Sequence, residues 1–180
     1  MKTNETYEYF ADRTPCTHEV YQSIPWRDTC WGCRGKEVGG LHMRAYYTTD
    51  GYAVGLARTD ENQDGFPDCT HGGIIASYFD ETLWHQTKRD NFHIDAMTVH
   101  VETDYFKPVP QGTDVTVVAL PARIEGRHYY VSGALLLPDG SIAATGSAHY
   151  ICLKTDNKIS AEEQRRILHP SDCERKEVYF

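Results

Sequence analysis

No stretch of this 180-residue chain approaches the ~20 consecutive apolar residues that a membrane-spanning helix needs. The opening MKTNETYEYFADRTPC also lacks the apolar core of a signal peptide. A cytoplasmic protein with no membrane partner is therefore expected. Basic residues are scarce, 18 Lys and Arg against 26 Asp and Glu, for a net charge of −8. That excludes broad nucleic-acid binding, which needs a basic face to neutralise phosphates. There are no internal repeats and no low-complexity tracts. What remains is ordinary for one globular domain, with 40% hydrophobic and 24% charged residues. Six cysteines are spread along a chain long enough to build its own core, so they read as free thiols rather than a disulfide scaffold.

Residues 1–35 are polar and read as an irregular N-terminal extension with a Cys30-Trp31-Gly32-Cys33 turn. A domain follows over 36–154. Leu41, Met43 and Ala45 alternate with polar neighbours as a strand does, and Asp50-Gly51 turns the chain into a second strand over Tyr52–Arg58. Beyond a turn-rich loop, Ile75, Phe79 and Leu83 recur every four residues with Ile74 and Tyr78 beside them, predicting a long helix with one broad apolar face. Four strands follow, over Met97–Phe106, Asp114–Arg123, Arg127–Leu137 and Ser141–Leu153, with separations short enough for antiparallel neighbours. The expectation is an α+β fold, one helix on an antiparallel sheet. In the charged tail, 155–180, Ser160-Ala161-Glu162-Glu163 has capping-box spacing and predicts a short helix near 161–168.

The predicted helix carries the chemistry. Gly72-Gly73 opens it directly after a loop, where backbone N–H groups lack intrahelical partners and the helix dipole is positive. Such a site polarises a carbonyl, although glycines also let a helix pack closely on a sheet, and the residues alone leave both readings open. Asp80 lies mid-helix at the border of the apolar stripe, where a partly buried carboxylate serves as base or nucleophile or simply meets solvent. Glu81, rotated about 100° from it, is expected at the surface.

His71-Gly72-Gly73 followed by Ile-Ile-Ala, with Asp80-Glu81 nine and ten residues after the histidine, resembles the signature of hot-dog-fold thioesterases of the phenylacetate-degradation and 4-hydroxybenzoyl-CoA type. Met97–Pro110, ending Lys107-Pro108-Val109-Pro110, resembles the family strand after the helix. Gly140–Leu153 resembles the closing strand, and Cys30-x-x-Cys33 is shared with a subset of members. The resemblance spans roughly residues 28–153. It implies an antiparallel sheet wrapped around one long helix, and hydrolysis of an acyl-CoA or acyl-carrier-protein thioester. Coenzyme A enters as part of the substrate, with no separate cofactor; its pocket needs only a few local cations. The resemblance assigns the carbonyl contact to the Gly72 N–H and the role of nucleophile or general base to Asp80. Thr98 takes the position of a water-orienting hydroxyl, and His71 is the positional motif histidine. Gly73, Gln63, Glu81 and Trp84 fall on the substrate side, Gln63 standing where some members carry a polar loop residue before the histidine. Tyr78 and Tyr105 are candidates for pocket or core, and Phe79 for core. A homodimer, with a tetramer as the larger possibility, is implied as well. Helix geometry agrees, because eight residues separate Gly72 from Asp80 by about 12 Å along one axis. A hot-dog lyase or dehydratase and a non-catalytic acyl-CoA-binding module are the competing functions.

Two metal motifs are weighed and declined. Cys16-x-His18 with Cys30-x-x-Cys33 offers four zinc ligands, but Cys16 and His18 lie in a loosely patterned segment. Asp60-x-Asn62-x-Asp64-Gly65 opens like a calcium loop, yet its twelfth position is His71 where a bidentate Glu is needed. No metal is expected.

Overall fold

The computed structural model describes residues 4–90, 95–153 and 168–180. In chain order the elements are α1 (Glu5–Ala11), β1 (Thr17–Ser23), β2 (Arg44–Thr48), β3 (Ala53–Arg58), β4 (Asp64–Phe66), β5 (Cys69–Thr70) and α2 (Gly72–Lys88). Then come β6 (Ala96–Tyr105), β7 (Asp114–Ala119), β8 (Arg123–Glu125), β9 (His128–Leu136), β10 (Ile142–Cys152) and β11 (Glu177–Tyr179). One antiparallel sheet runs β11-β1-β2-β3-β7-β9-β10-β6, with β8 paired to β9 and β4-β5 as a separate hairpin. The expected α+β arrangement is present, with the sheet packed around α2. Among the described residues no helix is long and apolar enough to cross a membrane.

The period-four residues do what their spacing predicts. Ile75, Tyr78, Phe79 and Leu83 are buried in a core shared with Tyr47, Val117, Leu135, Ala144 and Tyr150. Small residues on the strands let the helix approach. A Cβ on Gly146 would sit 2.5 Å from Cγ of the Phe79 ring, and one on Gly55 would sit 2.3 Å from the Thr82 hydroxyl. Ala144 and Gly146, on the face of β10 toward the helix, are therefore the imprint of α2 lying on it. Gly146→Ala should destabilise the protein by about 1–3 kcal/mol, since the fully buried Phe79 ring has no free end to swing away. A fall in the denaturation midpoint checks this; an unchanged midpoint would mean the helix has room to shift.

The sheet is covered on its other face too, which the sequence reading did not anticipate. A second buried cluster joins Phe10 of α1 with Tyr46, Tyr52, Val54, Val118, Ala134, Leu136, Ile142, Val178 and Phe180. Residues before 36 are thus not irregular throughout. They supply a helix capped by Asn4, whose side chain accepts from the Tyr7 N–H, and a strand that joins the sheet. The described end of the tail returns as β11 beside β1. This double coverage explains why every residue of β2 is buried, where alternation predicts one wet face. Arg44, expected to point outward, is buried: it forms a two-point ion pair with Asp172 and donates to the Cys33 carbonyl at 2.6 Å. The helix predicted near 161–168 lies almost wholly outside the described residues.

Candidate active site

The loop before α2 fixes how the helix begins. The His71 backbone N–H donates to the Gln63 carbonyl at 2.7 Å, and the His71 ring Nδ1 accepts from the Gly73 N–H at 2.9 Å. His71 is thus the N-cap residue of α2. Its ring occupies the Gly73 N–H, which the sequence reading sets on the substrate side. The next donors are also used, by the His71 carbonyl, which accepts from Ile74 and Ile75. Among the described residues no acceptor faces the Gly72 N–H. One donor therefore remains at the positive end of a 17-residue helix. The Gly72 carbonyl in turn accepts from the Tyr105 hydroxyl at 2.8 Å, tying the helix start to the end of β6.

Gln63 is buried, and its side-chain oxygen accepts from the fully buried Tyr78 hydroxyl at 2.9 Å. Both Tyr78 and Phe79 are core residues. Trp84, assigned to the substrate side, donates its indole N–H to the Ala96 carbonyl at 2.8 Å and has the Lys88 ammonium over its ring at 4.3 Å. It packs partly against the core and anchors the start of β6.

Asp80 lies midway along α2, partly buried, and Thr98 of β6 donates to its Oδ1 at 2.9 Å. Burial pushes the Asp80 carboxyl above its usual range; the Thr98 hydrogen bond pulls it back, and the charge of Glu81 raises it further. The backbone carbonyl of Asp80 is held by the Tyr150 hydroxyl at 3.0 Å.

A strand irregularity makes the Thr98 contact possible. His149 pairs with His100 but Tyr150 pairs with Thr98, so Val99 is an extra residue on β6. Thr98 and Tyr105 are seven positions apart and would face opposite sides of a regular strand. The bulge reverses the alternation, so that both reach α2, one at Asp80 and the other at Gly72. For the hydrolysis that the sequence resemblance implies, Thr98→Ala is expected to lower kcat at least about tenfold, from the roughly 1.5 kcal/mol of one hydrogen bond to a charged group. Steady-state kinetics beside an Asp80→Asn variant check the order: a loss equal to that of the Asn variant would make the hydroxyl, not the carboxylate, the dominant group.

Glu81 corrects the sequence reading most sharply. It is half-buried rather than at the surface. Its carboxylate is covered by the Cys30–Cys33 turn, with Cys30 Sγ 3.3 Å and Cys33 Sγ 3.2 Å from Oε1. His85 Nε2 lies 3.4 Å from the same oxygen. Burial alone raises the Glu81 carboxyl, but His85 and the hydrogen bonds from the two thiols outweigh it and hold it at about 2. The zinc set considered in the sequence does not assemble. His18 is buried elsewhere, paired with Asp50 at 2.6 Å and stacked 3.8 Å from the Phe180 ring. The calcium-like loop instead forms a short turn capped by Asp60 and the β4-β5 hairpin.

Comparison with known proteins agrees with this architecture. Residues 69–144, which hold α2 and the strands from β6 to β9, match the model of the Thioesterase superfamily. No curated protein matches the chain by sequence. Among solved structures, a thioesterase superfamily protein is similar over 61% of this chain and 53% of its own, at 21% identity and a TM-score of 0.55. The match thus spans about half of that relative. A mutant of the phenylacetic acid degradation protein PaaI from Thermus thermophilus is similar over 66% of this chain and 100% of its own, at 17% identity and a TM-score of 0.57. A Streptococcus mutans protein bound to acetyl CoA is similar over 57% and 82%, at 15% identity and a TM-score of 0.50. The fold is the hot-dog fold of these thioesterase structures.

Proposed function

We propose that this protein hydrolyses an acyl-CoA or acyl-carrier-protein thioester to a free acid and a thiol, in the cytoplasm and as a homodimer. The observation that carries the reading is the pairing of two features on one helix. Asp80 is a half-buried carboxylate oriented by Thr98, and Gly72 presents an N–H with no partner among the described residues. The acetyl CoA in one structural neighbour supports CoA as the carrier.

In the general-base form of the reaction, Asp80 takes a proton from water, whose oxygen attacks the thioester carbonyl. The Gly72 N–H, reinforced by the helix dipole, stabilises the oxyanion. The tetrahedral species collapses, the carbon–sulfur bond breaks, and the proton held by Asp80 passes to the departing thiolate. In the nucleophilic form Asp80 attacks the carbonyl itself, expels the thiolate, and the resulting anhydride is cleaved by water. Partial burial raises the Asp80 carboxyl and so makes its carboxylate a stronger base.

The two groups must come from different subunits. About 12 Å of helix separates Gly72 from Asp80, while both must lie roughly 3 Å from one reacting carbonyl. The ten-residue strand β6 sits at the edge of the sheet and exposes Met97, Val99 and Tyr105. A long edge strand with unpaired backbone groups and exposed apolar side chains invites a second copy. Pairing there about a twofold axis brings each helix N-terminus beside the middle of the other helix, giving two equivalent sites.

A panel of acyl-CoAs incubated with the protein and a thiol reagent tests the reaction class. Release of free CoA with the matching acid is expected. An altered acyl product without free thiol would make the protein a lyase, and binding without product would make it a binding module.

A further inference from the structure

The Cys30–Cys33 turn is not used by the proposed chemistry, yet it is built with care. The Cys33 and Arg34 N–H groups both donate to the Cys30 carbonyl, at 3.2 and 3.0 Å, curling the turn so that both sulfurs face one side. Three backbone bonds then fix it to the chain leading into β2: Leu41 to Trp31, His42 to Arg34 and Met43 to Gly32, at 3.0, 3.0 and 2.9 Å. Arg44, locked by Asp172, grips the Cys33 carbonyl from below. Gly32 admits the carboxylate, since a Cβ there would lie 2.6 Å from Glu81 Oε2.

We propose that Cys30, Cys33 and Glu81 bind one zinc ion, with His85 steadying the carboxylate, and that this metal fastens the 30–33 turn to α2 directly beside Asp80. The ligand atoms of the three residues all lie within 4.8 Å of one another. Zinc takes thiolate sulfur near 2.3 Å and carboxylate oxygen near 2.0–2.2 Å, so a tetrahedral site separates sulfur from oxygen by about 3.5 Å. The observed sulfur–oxygen distances of 3.2–3.5 Å match that edge. Two soft thiolates with one carboxylate favour zinc over magnesium or calcium. His85, 3.4 Å from Glu81 Oε1 and buried, is the kind of outer partner that orients a ligating carboxylate. The fourth position falls to water. Binding releases one proton from each thiol, so two protons leave for each zinc bound. The site does not depend on the reaction proposed above.

The competing reading is two thiols donating hydrogen bonds to a half-buried carboxylate, and it predicts no metal. Reduced, chelator-treated protein is titrated with cobalt(II) as a spectroscopic stand-in and then with zinc. One cobalt per chain is expected, with tetrahedral visible bands and a thiolate-to-cobalt charge-transfer band that zinc abolishes. Cys30→Ser and Cys33→Ser should each lose the stoichiometric signal, although Cys16, Cys69, Cys152 and Cys173 remain. Glu81→Gln should keep charge transfer but weaken binding at least tenfold. Zinc well above its Kd should raise the wild-type Tm by on the order of 10 °C and leave that of Cys33→Ser unmoved. Absence of one-to-one binding by the folded wild-type chain overturns the proposal on its own, whether or not the variants fold. Equal binding by either serine variant overturns it as well.

Discussion

Asp80→Asn should lower kcat/KM by at least a hundredfold on the best acyl-CoA while the fold and substrate binding survive. The amide occupies nearly the same volume, and its oxygen can still accept the Thr98 hydroxyl that meets Asp80 Oδ1 at 2.9 Å. What it lacks is basicity and nucleophilicity. Neither packing nor helix capping depends on the carboxylate, because the Asp80 backbone carbonyl, not its side chain, is the group held by Tyr150. Retention of more than about a tenth of wild-type kcat/KM would mean under ~1.4 kcal/mol of transition-state stabilisation was lost, too little for the reacting group. Matched Tm values and unchanged acyl-CoA affinity separate loss of chemistry from loss of structure.

Gly72→Pro should be nearly as damaging, and it is the cleaner probe of the oxyanion contact. Proline is favoured at the first helical position because the missing N–H has no intrahelical partner there. The residue before a proline must be extended, and His71 already is, at φ −60° and ψ 136°. The His71 hydrogen bonds to Gln63 and Gly73 do not involve the Gly72 nitrogen. The substitution therefore deletes one donor and leaves the helix start in place. Removing a single oxyanion donor costs roughly 100- to 1,000-fold in kcat. A variant that folds normally and keeps full kcat would place the carbonyl contact elsewhere. Gly72→Ala, which keeps the N–H and brings a Cβ to 3.4 Å from the Tyr105 ring, serves as the steric control and should retain far more activity.

The elements that bury a single repeating face were the most legible in the sequence. Ile75, Phe79 and Leu83 located α2, and Gly51 at φ 109° and Gly140 at φ 80° marked the hairpins. Strand ends were less so, because neighbours remote in sequence decide them. The first strand was expected from Leu41, but it starts at Arg44 because the N–H groups of residues 41–43 donate to the carbonyls of Trp31, Arg34 and Gly32. The strand from Asp114 stops at Ala119, just before Pro121, which cannot donate to a ladder, and pairing resumes at Arg123. For the N-terminal helix a signal was present, an asparagine ahead of two glutamates in the first turn.

The candidate site was legible in part. Asp80, Gly72 and His71 stand out as residues that a packed helix would not choose for stability alone. Thr98 came from the resemblance, since strict alternation gives no reason for it to meet Asp80 while Tyr105 meets Gly72; the bulge at Val99 supplies that reason. Glu81 was misread because the covering surface comes from residues 30–33, about fifty positions away, and one helix wheel carries no record of a distant turn. The two cysteines of that turn were visible as a pair. Their real companions on α2 were not, and Cys16 and His18 took that place in the sequence reading.

Mixing two inactive variants tests most directly whether Asp80 and Gly72 meet across a subunit boundary. The Asp80→Asn and Gly72→Pro proteins are each purified, combined one to one, exchanged by mild denaturant and refolding, and assayed for CoA release. Half of the dimers formed at random are mixed, and each mixed dimer holds one site with an intact Gly72 and an intact Asp80, so activity should recover to about a quarter of wild type. Verified mixed dimers with no activity above the two parents would contradict this, and would place the carbonyl, the carboxylate and the oxyanion donor within one chain.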